Sequence, residues 1–464
     1  MAAAHRLAAL LLLLACGALH AQALPAEVEV ALARAKLPRE ALSVLVVDAE
    51  GRLPPRLSHR AGVAVNPASV AKLATTFAAL ELLGPAFTWS TPVYVDGPVR
   101  DGTLHGNLHI KGQGDPKLVI ERLWLLLRRV QGLGIRSISG DIVLDRSAFE
   151  TVPLNPGAFD GEPLRPYNAA PDALLLNFKS ILLTFTPERG QALVQVEPAL
   201  AGVHLPGSVP LAPGDCGDWR GGLRADFSDP LRIRLAGAYP ASCGERVWPV
   251  AYADPASYAA RAIAGLWQEL GGKLGGQVRD GRVPPALRPA FEQVSPPLAE
   301  VVRDINKFSN NVMAQQLFLT LSLQKKGAGS FDASRELLRA WWRERLGGEP
   351  PVLDNGSGLS RDDRISAQQL AQLLQAVWLS PLMPELMSSL PIAGTDGTLR
   401  RTRGRGAGLA HLKTGSLRDV AAVAGFVEGT GGKRYVLVAI ANHPNAQAAR
   451  PAIDALVEWT ANER

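Results

Sequence analysis

The segment from Ser69 to Lys72, which reads SVAK, combines two side chains that can do chemistry together. It lies in a stretch that reads as a helix opening at Asn66, and residues three apart on a helix share one face. A serine hydroxyl becomes a nucleophile only when a base removes its proton. A buried lysine can be that base, because burial lowers the pKa of an amine. The spacing therefore indicates a serine nucleophile, Ser69, next to its base, Lys72.

The same spacing occurs again at Ser322 and Lys325, in the segment SLQK, so the pattern alone is not specific. There the lysine is followed by Lys326 and Gly327, which are typical of the basic, glycine-terminated end of an amphipathic helix. We expect Ser69 to be the nucleophile and Ser322 to be structural.

Two further short motifs follow along the chain. SNN, at Ser309–Asn311, falls at a break between two predicted helices, and KTG, at Lys413–Gly415, falls at the end of a predicted strand. Alone, the first is most often a helix cap and the second a hairpin end. Together with SVAK, and in this order, they match the motif set of the penicillin-recognising serine acyl-transferases.

The elements that must position these motifs can be read from the apolar patterns. ALSVLVVDA near the N-terminus is a predicted strand with RLSHRAG as its hairpin partner. Three more predicted strands follow one another near the C-terminus: LAHLKTG, DVAAVAGFVEG and RYVLVAIANH. Helical segments dominate from about residue 296. This order predicts one sheet in which the N-terminal and C-terminal strands meet. The short strands from about Thr91 onward then form an insertion.

The chain resembles the low-molecular-weight class C penicillin-binding proteins, the D-alanyl-D-alanine carboxypeptidase/endopeptidase family. DNGSGLSRDDRIS, KTGSLRDVAAVAGF and the 240 residues between Ser69 and Ser309 carry this resemblance beyond the motifs. It implies an α/β fold with a β-lactamase/transpeptidase-like core, made of an antiparallel sheet and a helical subdomain, and a large, mostly β inserted region. The implied domains are residues 24–90 plus 291–464 (catalytic), 91–178 plus 251–290 (inserted) and 179–250 (nested).

The resemblance also implies roles for the motif residues. The catalytic residues are Ser69, Lys72, Ser309 and Asn311, and the substrate-binding residues are Lys413, Thr414, Gly415 and Ser416. Lys413 is expected to stay charged and to attract the terminal carboxylate of the substrate. The backbone N–H groups of Ser69 and Ser416 are the expected oxyanion hole.

The predicted function is that of a periplasmic serine DD-peptidase, which removes the terminal D-alanine from peptidoglycan stem peptides, cleaves D-alanyl cross-links, or does both. β-Lactam antibiotics are expected to be covalent inhibitors, and no cofactor or metal is predicted. One alternative is a β-lactamase, although no ExxLN-like segment lies between SNN and KTG. The other is a non-catalytic wall-binding protein on the same fold.

The N-terminus reads as a secretory signal, with one arginine, an apolar run and a predicted cleavage after Ala23. LLAC before Gly17 alternatively resembles a lipobox with Cys16 as the lipidated residue. No later segment reads as transmembrane. In an exported chain Cys216 and Cys243 are expected to pair, the alternative being two separate buried thiols.

Composition adds the broad class. The chain has 464 residues, of which 47% are hydrophobic and 20% charged, which is typical of a folded protein with two or three domains. Its net charge of +6 is spread along the chain, without a basic run interleaved with aromatic residues. Nucleic-acid binding is therefore not predicted.

Overall fold

The computed structural model describes residues 23–150, 155–404 and 406–462. The predicted signal sequence and its lipobox alternative at Cys16 lie outside these residues. Over the described ranges, no helix has both the length and the apolar character needed to cross a membrane. The described residues divide into two compact units: within the ranges just given, the first comprises residues 23–70, 363–380 and 391–462, and the second comprises residues 71–362 and 381–390.

The helices, in chain order, are α1 (Ala26–Arg34), α2 (Lys72–Leu83), α3 (Ile120–Gly132), α4 (Trp219–Gly222), α5 (Tyr258–Glu269), α6 (Leu298–Phe308), α7 (Asn311–Lys326), α8 (Phe331–Arg345), α9 (Ala367–Trp378), α10 (Met383–Ser389) and α11 (Arg450–Ala461). The strands are β1 (Leu42–Asp48), β2 (Leu57–His59), β3 (Ala64–Val65), β4 (Ser90–Val95), β5 (Val99–Arg100), β6 (Thr103–Leu104), β7 (Leu108–Lys111), β8 (Ser137–Ile138), β9 (Ile142–Asp145), β10 (Ser180–Glu188), β11 (Gln191–Glu197), β12 (Ser208–Ala212), β13 (Ala225–Asp226), β14 (Arg234–Leu235), β15 (Tyr239–Pro240), β16 (Arg246–Ala251), β17 (Lys273–Leu274), β18 (Val278–Asp280), β19 (Phe291–Val294), β20 (Ile365–Ser366), β21 (Ala410–Leu417), β22 (Val420–Glu428) and β23 (Arg434–Asn442).

The first unit is built on a five-stranded antiparallel sheet with the strand order β2–β1–β23–β22–β21. The N-terminal strand β1 pairs with the C-terminal strand β23 over its whole length, from Leu42 opposite Ala441 to Asp48 opposite Tyr435. The prediction that strands from the two ends of the chain meet in one sheet is confirmed, as is the hairpin of β1 and β2. Strand β21, which contains KTG, lies at the edge of this sheet.

Helices cover both faces of this sheet. Helices α1 and α11 share an apolar core with Val427 of β22, whereas the Trp378 ring of α9 contacts Phe426 with ring centroids 5.6 Å apart. Phe426 and Val427 are consecutive strand residues, so their side chains point to opposite faces. Burial on both faces explains why β22 and β23 are almost continuously apolar in sequence.

The second unit contains the buried helix α2, which packs against α6, α7 and α8. The Phe77 ring meets the edge of Trp341 at a centroid distance of 5.8 Å, and Trp341 Nε1 donates to Glu81 at 2.9 Å. These contacts fix α2 against α8. Between α2 and α6 more residues lie in strands than in helices, and the strands form sheets ordered β18–β9–β7–β4–β19, β17–β8–β6–β5 and β15–β12–β11–β10–β16. The mostly β character of the insertion is confirmed, and its division into two domains stays a prediction.

A disulfide joins Cys216 and Cys243, whose Cα atoms lie 4.7 Å apart. It links the segment before α4 to the turn after β15, and it confirms the predicted pairing. The two cysteines are 27 residues apart in sequence, and closing a loop of this length stabilises a chain by about 3.5 kcal/mol in the loop-entropy treatment.

We expect the double substitution Cys216→Ser and Cys243→Ser to lower the unfolding midpoint of the inserted region. Penicillin labelling of the folded protein should persist, because neither cysteine belongs to a catalytic motif. Thermal unfolding, monitored by tryptophan fluorescence, gives the midpoint, and a separate assay measures penicillin labelling. An unchanged midpoint would contradict a stabilising role for the disulfide.

Candidate active site

Ser69 lies in a 3-10 turn, Ala68–Ala71, that leads directly into α2 at Lys72. The sequence pattern predicted a helix opening at Asn66, whereas the α-helix begins six residues later. The difference arises because the Asn66 side chain holds the turn: its Oδ1 accepts a hydrogen bond from the Ala68 backbone N–H at 2.8 Å. Ala68 has a φ of 48°, a conformation that costs on the order of 1–3 kcal/mol and persists only where the surroundings enforce it.

Those surroundings belong to the central sheet of the first unit. Asn442, the last residue of β23, accepts from the Asn66 backbone N–H through Oδ1 at 2.9 Å and donates to the Asn66 carbonyl through Nδ2 at 2.9 Å. On β21, a Cβ atom added to Gly415 would lie 2.6 Å from the carbonyl oxygen of Pro67. The glycine of KTG is therefore needed for the strand to approach the turn that carries Ser69.

Lys413 is completely buried, and strand alternation places it on the same face of β21 as Gly415. Its Nζ donates to the Thr414 carbonyl at 2.7 Å, and burial lowers the pKa of Lys413 to about 7. Burial therefore opposes the charged form of Lys413, and its predicted charge in the site stays a prediction. Thr414 Oγ1 lies 2.7 Å from Thr398 Oγ1, and Ser416 is exposed to solvent.

In the second unit, Lys72 is completely buried and hydrogen-bonded. Its Nζ donates to Asn311 Oδ1 at 2.7 Å and to the Ser357 carbonyl at 2.5 Å. These two acceptors orient the Lys72 amine.

The SNN motif forms the junction between α6 and α7. Ser309 ends α6 with a φ of 56°, and the Asn310 side chain caps α7 by accepting from the Met313 backbone N–H at 3.0 Å. Aspartate and asparagine are both good N-caps, so Asn310 can replace the aspartate that is common in this motif. Asn311 is the first residue of α7, and its Nδ2 donates to the Tyr167 carbonyl at 3.3 Å.

The loop containing Ser357 is a site element that sequence reasoning missed. Asn355 Oδ1 accepts from the Ser357 N–H at 3.0 Å and from its hydroxyl at 2.7 Å, and Thr75 Oγ1 donates to the Gly356 carbonyl at 2.8 Å. The letters DNGSG are a turn signature, which could have indicated the loop. The backbone carbonyls of Ser357 and Tyr167 leave no signature in the sequence, because every residue has a backbone carbonyl.

Ser322, the second serine in an SxxK pattern, is a buried structural hydroxyl. It donates to the Leu319 carbonyl at 3.1 Å, and it accepts from the Ser330 N–H at 3.0 Å and from Ser334 Oγ at 2.8 Å. Lys325 is exposed. Within the described residues, Ser322 therefore belongs to the packing of α7 and the start of α8, as expected.

The chain is similar to known proteins over most of its length. The family described as D-Ala-D-Ala carboxypeptidase 3 (S13) matches residues 24–463. A D-alanyl-D-alanine carboxypeptidase from Actinomadura sp. (strain R39) is 30% identical over 402 residues, which cover 81% of this chain and 73% of the relative.

Two solved structures have a similar fold. Penicillin-binding protein 4 from Haemophilus influenzae superposes with a TM-score of 0.73 at 23% identity, over 93% of this chain and 99% of the other. A predatory endopeptidase from Bdellovibrio bacteriovorus, in complex with an immunity protein, superposes with a TM-score of 0.54 at 16% identity, over 89% and 91% of the two chains.

Proposed function

The chain belongs to the D-Ala-D-Ala carboxypeptidase 3 (S13) family, and on that premise we propose that Ser69 is the nucleophile of its peptidase reaction. Family membership confirms the enzyme class and the fold class predicted from the sequence: the chain is a penicillin-sensitive serine DD-peptidase that acts on peptidoglycan. One observation carries the assignment of residues. Lys72, three residues after Ser69, is buried with its amine bonded to Asn311 Oδ1 at 2.7 Å.

The proposed reaction begins with neutral Lys72 accepting the hydroxyl proton of Ser69. Ser69 Oγ then attacks the carbonyl carbon of the D-alanyl bond, and the resulting oxyanion accepts hydrogen bonds from the N–H groups of Ser69 and Ser416. The tetrahedral intermediate collapses, the C–N bond breaks, and the leaving amine takes a proton through Ser309. Water then hydrolyses the Ser69 ester and restores the free hydroxyl.

The KTG strand supplies substrate recognition in this proposal. Lys413 attracts the terminal carboxylate, and Thr414 and Ser416 align the peptide along the edge of β21. The N-terminal position of Asn311 on α7 directs its side chain toward Lys72, so the amide links the base to the substrate peptide. A β-lactam contains a strained amide and a carboxylate, so it enters the same site and leaves a long-lived Ser69 ester.

We expect the pH dependence of carboxylate binding to follow the protonation of the buried Lys413. Its pKa of about 7 means that the ammonium form dominates below pH 7 and is lost as the pH rises through 7. Carboxylate capture should therefore weaken from pH 6 to pH 8. The measurement is the ratio of kcat/KM for a carboxylate-bearing thioester to that for its methyl ester, which cancels the titration of the serine base. A ratio that is constant or that rises with pH would contradict this prediction.

We also propose that the enzyme works in the periplasm, after signal cleavage following Ala23 or lipid anchoring at Cys16, and that its substrates are peptidoglycan stem peptides.

The two matched substrates for the test are a pentapeptide monomer and a D-alanyl cross-linked muropeptide dimer, with products identified by mass. Release of D-alanine from the monomer shows carboxypeptidase activity, and conversion of the dimer to monomers shows endopeptidase activity. Failure on both substrates by folded protein would overturn the proposal.

A further inference from the structure

A hydrogen-bonded group beyond the KTG motif lies at the end of β21. Ser416 Oγ donates to Gln447 Oε1 at 3.3 Å, and Arg450 Nη2 donates to Ser416 Oγ at 3.4 Å. Both Ser416 and Arg450 are exposed. The guanidinium of Arg450 therefore lies beside a residue that the proposed function already assigns to substrate binding.

Gln447 fixes this guanidinium relative to the strand. Its Nε2 donates to the Leu417 carbonyl at 2.5 Å and to the Val420 carbonyl at 2.8 Å, which are the two ends of the turn between β21 and β22. Its Oε1 accepts from Arg450 Nε at 3.1 Å and Nη2 at 2.9 Å. One side chain thus connects the turn to Arg450 and orients the planar donor group.

Among the described residues, no hydrogen-bonded carboxylate neutralises the charge of Arg450. Over the described part of the chain, its guanidinium donates to Gln447 and Ser416 and to no carboxylate. Asp454, one helical turn further along α11, interacts with it electrostatically, and burial raises the pKa of that carboxyl. Arg450 therefore presents donors and positive charge at the exposed end of β21.

We propose that Arg450 is a further substrate-binding residue, which holds the carboxylate of the substrate at the Ser416 end of β21 and is positioned there by Gln447. This inference rests on the proposed function, because it assumes that the substrate lies along β21. A guanidinium is charged at every relevant pH, and in the described contacts its Nη1 group donates to neither Gln447 nor Ser416, so Nη1 is the donor left for a carboxylate oxygen. The ligands it fits are peptides with a free C-terminal carboxylate and β-lactams that carry a ring carboxylate.

The charge of Arg450 complements that of Lys413. Lys413 is completely buried, and its pKa of about 7 leaves only part of its population charged at neutral pH. An exposed arginine adds a permanent charge that attracts the carboxylate before it reaches the buried lysine. The two cations therefore have separate tasks, the arginine in capture at the surface and the lysine in the interior of the site.

The test is acylation of the full-length chain by a thioester whose leaving group carries a carboxylate, compared with the methyl ester of the same compound. Arg450→Gln should lower kcat/KM for the carboxylate substrate about tenfold or more, mainly through KM, and change the methyl ester less than about twofold. Arg450→Lys should recover part of the loss, because it restores the charge without the planar group that Gln447 orients. Gln447→Leu should give an intermediate loss.

Arg434→Gln is the matched control, because it removes an arginine charge from the same unit of the chain, on β23. Arg434 pairs with Glu428, seven residues along β22 from Ala421, the partner of Ser416, which corresponds to roughly 23 Å. This control variant should have an unchanged kcat/KM for both substrates.

Three results would decide between the possibilities. Equal loss on both thioesters would overturn the inference, because it would assign Arg450 to the stability of the turn. No loss on either substrate would overturn it as well. Failure of the unsubstituted protein to react with either thioester would instead overturn the proposed function.

Discussion

Ser69→Ala should abolish covalent labelling by fluorescent penicillin, with a loss of about 10⁴-fold or more in the rate of acylation. The hydroxyl oxygen of Ser69 is the atom that forms the ester in the proposed mechanism, and removal of a nucleophile typically costs a serine hydrolase that much. The fold should survive, because the turn is held by Asn66 and Asn442 and not by the serine side chain alone. The measurement is labelling under conditions that saturate the unsubstituted protein.

Ser322→Ala is the matched control in the same chain. It removes a serine of the same SxxK spacing, but one whose hydroxyl bonds to Leu319, Ser330 and Ser334 inside the packing of the helices. Its loss should lower the free energy of unfolding by about 1–3 kcal/mol, because buried partners are left unsatisfied. Labelling should persist in the folded protein. Labelled Ser69→Ala protein, or unlabelled but folded Ser322→Ala protein, would show that the nucleophile is assigned wrongly.

The central sheet could be predicted from sequence because its strands are long and apolar. β1, β22 and β23 stand out as apolar runs, and the placement of one near the N-terminus and two near the C-terminus predicted the sheet in which β1 pairs with β23. The start of α2 was less predictable. Pro67 and the apolar residues that follow Lys72 are compatible with a helix from Asn66 onward, but a side-chain bond from Asn66 favours a tight turn first.

In the candidate site, the motif side chains could be predicted from the sequence, whereas the effects of the backbone and of burial could not. The motifs identify Lys72 and Asn311 because their residue types and order are unusual together. The Ser357 carbonyl, by contrast, acts through the backbone, which every sequence contains. The lowered pKa of Lys413 also escaped prediction, because it depends on complete burial and not on neighbours in sequence.

Gln447 and Arg450 were missed for a related reason. They follow β23 in the sequence, in a short turn and the first position of a helix, where such residues are ordinary. Only the pairing of β21 with β22, and of β22 with β23, brings the turn after KTG next to them. Side chains that contact a site through sheet topology therefore become visible only in the folded chain.

Lys72→Ala should abolish acylation even at saturating substrate, because it removes the amine that is proposed to accept the proton of Ser69. The amine is oriented by Asn311 and the Ser357 carbonyl, at 2.7 Å and 2.5 Å, and a water molecule in its place would be a far weaker base. Lys72→Met keeps the volume of the side chain and should be equally inactive, which separates lost chemistry from a packing cavity. The measurement is the acylation rate of folded protein, with the unfolding midpoint as the check on structure.

Lys413 provides the contrast within the same chain. Lys413→Ala, and its size-matched form Lys413→Met, should lower kcat/KM for carboxylate-bearing substrates more than for a thioester without that group, because the reacting atoms are Ser69 and its base. Lys413 is completely buried, so the alanine form should also unfold more easily than the methionine form. If Lys72→Ala acylates at close to the unsubstituted rate, or if both Lys413 variants are impaired equally on the two substrates, the division between a lysine that moves a proton and a lysine that binds a carboxylate is wrong.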